Sequence, residues 1–101
     1  MEINIQSISF DADQKLLDYI TKKITKLNTF YDGIINVMVY LKVEHDSEHK
    51  NNKTLEAKLN VNNQTLFCSE HCRTFECAID LAFESLKVQL KKYKEKSTAV
   101  H

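Results

Sequence analysis

Two short constellations in this 101-residue chain have residue types that do chemistry in other proteins. His45-Asp46-Ser47-Glu48-His49 matches H-x-x-E-H, in which two histidines hold zinc and a glutamate handles protons. That chemistry needs both histidines on one helical face and a third ligand for the Lewis-acidic metal. Here residues 45–53 are wholly polar and fall between two alternating apolar stretches, so they are predicted to form a loop. No third-ligand motif accompanies them, and so short a match outside a helix carries little weight. Cys68, His71, Cys72 and Cys77 form the second cluster. Their spacing, C-x-x-H-C-x-x-x-x-C, is not a paired C-x-x-C zinc knuckle. Cys77 precedes Ala78-Ile79 and is expected to be a buried helix residue, with Cys68 closing a strand. Free cysteines of this kind act as small hydrophobes. Three cysteines cannot all pair within one chain, and a reducing interior is the simpler context. A single glycine excludes a glycine-rich phosphate loop, and no nucleophile–histidine–acid set is present. The expectation is no catalytic residue, no metal, no cofactor and no enzymatic activity.

A third constellation is cationic. Lys15, Lys22, Lys23 and Lys26 stand against Asp18 alone, and Lys87, Lys91, Lys92, Lys94 and Lys96 against Glu95 alone. Residues 44–84, by contrast, carry eight acids and four bases. A formal net charge of zero therefore conceals a polarised molecule. Both cationic runs fall on segments with helical periodicity. At about 100° per residue, Lys87, Lys91 and Lys94 form a stripe a quarter-turn from the apolar arc, and Lys92 and Lys96 lie further round. Lys15, Tyr19, Lys22, Lys23 and Lys26 flank the apolar stripe of the earlier segment. Two such stripes on neighbouring helices would line one groove, suited to a phosphate backbone with a ring available for stacking. The plainer reading is that these lysines solvate helix flanks and snorkel beside the core.

The elements that would position these residues follow from periodicity. Residues 2–8 alternate as a short strand around Ile3 and Ile5. Asp11 or Asp13 can cap a helix whose stripe is Leu16, Leu17, Ile20, Ile24 and Leu27. Phe30-Tyr31-Asp32-Gly33 ends it with the one glycine. Residues 34–44 alternate with Ile35, Val37, Val39, Leu41 and Val43 on one face. Leu55, Ala57, Leu59 and Val61 mark a third strand, Asn62-Asn63 a tight turn, and residues 64–69 a fourth strand. Phe75, Ile79, Ala82, Phe83, Leu86, Leu90 and Tyr93 mark a long final helix, uninterrupted because the chain has no proline. The order β-α-β-β-β-α predicts an α+β two-layer sandwich: a four-stranded sheet with two roughly parallel helices on one face. The length suits one domain, assigned to residues 1–97, with 98–101 as a short disordered tail. No apolar run is long enough to cross a bilayer, and no basic segment followed by an apolar stretch opens the chain, so no membrane association or secretion is expected.

The element order, together with Lys23-x-x-Lys26-Leu27, Leu41-Lys42-Val43-Glu44, Ala78-Ile79-Asp80 and Gln89-Leu90-Lys91-Lys92-Tyr93-Lys94-Glu95-Lys96, resembles the ribosome hibernation-promoting factor and ribosome-associated inhibitor A family. The likeness runs from Ile3 to about Lys96. It implies a cytoplasmic, non-enzymatic protein, monomeric when free and without a small-molecule substrate. Its partner would be the small ribosomal subunit, through 16S rRNA and neighbouring ribosomal proteins, in the channel of messenger and transfer RNA. By that resemblance, Lys23, Lys26, Lys92, Lys94 and Lys96 face rRNA, and Lys22, Lys87 and Lys91 are basic at neighbouring positions. Positions 85 and 88, often basic in the family, are Ser85 and Val88 here. The competing function class is a protein-interaction module that uses the acidic stretch from Glu44 to Glu84 or a sheet edge and does not bind RNA.

Overall fold

A computed structural model describes residues 1–44 and 51–99. The His45–His49 motif lies outside the described residues. Strand β1 (Glu2–Ile8) leads to helix α1 (Gln14–Thr25), which tightens into a 3-10 turn over Lys26–Thr29. Then follow β2 (Asn36–Val43), β3 (Lys53–Val61), β4 (Gln64–Cys72) and the long helix α2 (Phe75–Ala99). The four strands lie side by side in chain order. β1 and β2 are parallel because α1 returns the chain between them, while the two later pairs are antiparallel. Asp13 caps α1, its side chain accepting from the Leu16 amide at 2.8 Å.

Pleat and register decide which sheet face is covered. Ile3, Ile5, Val37, Val39, Leu41, Leu55, Ala57, Leu59, Val61, Leu66, Cys68 and Cys72 share one face by their pairing. All of them join the core with Ile20, Ile24 and Leu27 from the first helical segment and Phe75, Ile79, Ala82, Leu86 and Leu90 from α2. Both helices therefore cover the same face. Tyr19, Lys23 and Phe30 meet Asp80, Phe83 and Lys87 in ascending order along both segments, so the helices run in the same direction. The opposite face carries Met38, Tyr40, Lys58 and Phe67 without a covering layer among the described residues, and Phe67 is 47% exposed. The expected two-layer sandwich with both helices on one face is the fold observed.

Several local expectations are corrected. β2 begins at Asn36, and the bend from Gly33 turns Ile34 into the core while leaving Ile35 57% exposed. Gly33 has no positive φ. Its role is space, since a Cβ there would lie 2.6 Å from the Tyr31 ring. The left-handed residues among those described are Ser9 and Asn63, the latter in the expected Asn62-Asn63 turn. β4 runs on to Cys72, so Cys68 sits mid-strand. Cys77 is exposed on the first turns of α2 and is joined to Cys72 in a disulfide, with Cα atoms 5.9 Å apart. That overturns the buried placement of Cys77, the reading of these cysteines as unpaired, and with it the argument from cysteine usage for a reducing interior. A strand end and the next helix's first turns meet across a tight corner, and this brings the two residues within disulfide reach.

Candidate nucleic-acid interface

The line of contact between α1 and α2 is aromatic at its floor. Phe83 on α2 packs edge-on against Phe30, with ring centroids 6.1 Å apart. Two of the expected lysines converge on this ring from opposite helices. Lys23 Nζ stands 5.5 Å from the Phe83 centroid and 5.9 Å from Tyr19. Lys87 Nζ stands 5.8 Å from Phe83 and 5.6 Å from Phe30. Such placement satisfies the ammonium groups electrostatically while their stems cover apolar surface.

Both inner lysines also carry a carboxylate partner. Lys23 pairs with Asp80 at 3.2 Å, and Lys87 with Glu84 at 3.0 Å. Asp80 additionally accepts a hydrogen bond from the Tyr19 hydroxyl at 2.8 Å. That bond to Asp80, then burial, pushes the Tyr19 phenol above its ordinary range. The centre of the cleft is thus an aromatic floor with two cations and two anions in balance. The side chains of Lys23 and Lys87 are only 26% and 27% exposed.

The remaining lysines divide by flank. Lys22 and Lys26 are exposed beside Lys23 on the first helical segment, and Lys91 is exposed one turn beyond Lys87. Lys94 continues that stripe by its spacing. Lys92 and Lys96 belong to the other flank of α2, where they line a depression of about 310 Å³ with Gln64, Leu66, Gln89 and Tyr93 beside β4. Gln89 anchors that flank by donating to the Phe67 carbonyl at 3.0 Å. The cationic surface thus extends beyond the α1–α2 cleft onto the β4 flank of α2. Its centre is neutralised by Asp80 and Glu84, and its periphery is formed by lysines that, apart from Lys94, have no ion-pair partner among the described residues. Sequence reasoning missed these two acids as part of the site; Glu84 could have been found from its i,i+3 spacing to Lys87, whereas Asp80 carries no local signal because its partners Tyr19 and Lys23 lie on the other helix.

The cysteine cluster is not a metal site by geometry. Cys68 and Cys72 face the helices, whereas His71 points to the other side of the sheet. There the Thr54 hydroxyl lies 2.9 Å from His71 Nδ1. Burial pushes the Cys68 thiol up to about 11, with Glu70 adding to the effect. A thiol held protonated in this way is a poor nucleophile and a poor ligand.

Fold and cationic surface together define a small β-α-β-β-β-α module with a basic helical layer. Residues 3–98 match the family described as sigma 54 modulation protein / S30EA ribosomal protein, and the chain belongs to that family. It is 31% identical over 100 residues to a ribosome hibernation promoting factor of Pseudomonas putida, covering 99% of this chain and 93% of the relative. It is 33% identical over 96 residues to that of Escherichia coli K12, covering 95% and 96%. A ribosomal subunit interface protein from Coxiella burnetii superposes with a TM-score of 0.82 at 22% identity, covering 94% of this chain and 99% of that one. The N-terminal domain of Thermus thermophilus Protein Y gives 0.78 at 21% identity, covering 92% and 99%. The family likeness expected from the sequence is thereby borne out.

Proposed function

We propose that this protein is a cytoplasmic, non-enzymatic ribosome hibernation factor that binds the small ribosomal subunit through its helical layer and silences it by occupying the messenger and transfer RNA channel. The single observation that carries this reading is the cationic surface spread over two parallel helices of a chain that belongs to the hibernation family. Phosphate neutralisation by Lys22, Lys26, Lys91, Lys92, Lys94 and Lys96 supplies the attraction, with Lys23 and Lys87 set deeper in the cleft. A protein of zero formal net charge lacks the field for indiscriminate polyanion binding, so recognition depends on the folded shape of rRNA. The unit that binds is residues 1–97, acting as a monomer.

Occlusion makes a thermodynamic demand: factor and initiator transfer RNA must each lower the other's apparent affinity. Titrating factor-loaded small subunits with messenger and initiator transfer RNA tests it. Complete displacement is the expected result. Simultaneous stoichiometric binding of factor and transfer RNA would refute occlusion.

A further inference from the structure

The two acids inside a cationic surface need an explanation, because a surface built only for phosphate would gain by losing them. Asp80 is the better placed. It projects from α2 into the cleft between the helices, takes both the Tyr19 hydroxyl at 2.8 Å and the Lys23 ammonium at 3.2 Å, and remains 49% exposed. Lys23 is held over Phe83 and Tyr19 by the same contact. The carboxylate therefore does two things at once. It cancels the most central cation of the surface, and it offers a hydrogen-bond acceptor to whatever enters the cleft.

We propose that Asp80 is a specificity-determining residue that acts through Lys23: it discriminates for a folded RNA surface presenting a hydrogen-bond donor to the cleft and against unstructured RNA presenting only phosphates. This inference rests on the RNA-binding reading above and deepens it. A phosphate approaching Lys23 meets a carboxylate about one hydrogen-bond length away, and like charge at that distance is repulsive whatever the base sequence. A ribose 2′-hydroxyl or an exocyclic amino group held in place by a folded RNA donates to Asp80 instead, leaving Lys23 for an adjacent phosphate. Specificity arises from the mismatched ligand's cost as much as from the matched ligand's contact. Flexible RNA cannot hold a donor there without losing conformational freedom.

The test compares wild type, Asp80→Asn, Lys23→Gln and the double variant. Each is titrated with a fluorescent 20-nucleotide unstructured oligoribonucleotide and, separately, with purified small subunits. Asn is nearly isosteric and leaves Tyr19 an acceptor, and Asp80→Ser repeats the test without the amide; melting curves establish that every protein is folded. Releasing Lys23 for one phosphate should raise oligonucleotide affinity about fivefold at 0.1 M salt and steepen its log–log salt slope by about 0.7. Small-subunit affinity should not rise in step, so the selectivity ratio falls. The oligonucleotide gain should vanish in the Lys23→Gln background, an outcome that mere removal of a negative charge does not produce. An unchanged ratio, or an equal gain with and without Lys23, would overturn the proposal. Wild type that does not pellet with small subunits would defeat the ribosome-binding reading instead, and the oligonucleotide arm would still report on Asp80.

Discussion

Replacing Lys22, Lys26 and Lys91 together by Gln separates binding from folding. All three side chains are exposed and have no ion-pair partner among the described residues, so their removal costs the fold little. The melting temperature should stay within about 3 °C of wild type. Binding should respond strongly. Each phosphate left without its lysine flattens the dependence of log affinity on log salt by about 0.7 to 0.9, or about 2.1 to 2.7 for three. At 0.1 M monovalent salt those slopes correspond to an affinity loss of about 100- to 500-fold. Co-sedimentation with small subunits across a salt series reads both quantities. The inner pair provides the contrast. Lys23→Gln with Lys87→Gln removes two ion pairs and the cation–π contacts around Phe83. After allowance for solvent screening this should cost about 1–2 kcal/mol and lower the melting temperature by about 5–10 °C. Its salt slope should change less than that of the outer triple, because both inner cations already have carboxylate partners. An outer triple variant that binds small subunits with unchanged affinity and slope would refute the assignment of these lysines. So would an inner pair whose removal flattens the slope as much.

Breaking the Cys72–Cys77 link by Cys77→Ser should lower stability by about 2 kcal/mol, the loop-closure value for so short a loop, read as the difference in urea midpoint between the variant and the oxidised protein. Cys68 titrates with a folded value of about 11, above its unfolded value, so the native state holds its proton longer. Its contribution is fully present below about pH 9 and is lost as pH rises toward about 11, which a Cys68→Ala variant should reveal as a flatter stability profile over that window. Gly33→Ala should cost about 1 kcal/mol, because the added methyl displaces the Tyr31 ring from its edge contact with Tyr93 at 5.4 Å; near-ultraviolet circular dichroism together with thermal melting reads both effects. Leu86→Ala, at a fully buried position of α2, should cost about 2–5 kcal/mol in the same melts, well above any surface lysine.

Much of the architecture was legible one residue at a time. Period-two alternation at Val37, Val39, Leu41 and at Leu55, Ala57, Leu59, Val61 determined which strand faces turn inward, since a pleat has only two sides. The stripe from Phe75 to Tyr93 determined the buried arc of α2, and with it the angular position of every lysine on that helix. Local pattern failed where the chain bends. At Ile34 and Ile35 the phase of alternation depends on how the loop enters β2, and at Gly33 the constraint comes from a neighbouring ring while the backbone torsion is ordinary. Only the tertiary structure decided the character of the binding surface. Lys23 and Lys87, far apart in sequence, meet over Phe83 because two parallel helices lie side by side on one sheet face. Asp80 reaches across the seam to Lys23, and Glu84 pairs with Lys87 from the exposed side of α2, so the middle of a cationic surface is electrically balanced. Lys92 and Lys96 leave that seam for the β4 flank because the helix turns about 100° per residue, and the lateral packing of α2 sets which flank meets α1. Sequence determines the angle of a side chain about its own helix axis; what stands opposite it depends on how the layers pack, and charge balance at a site is a property of that pairing.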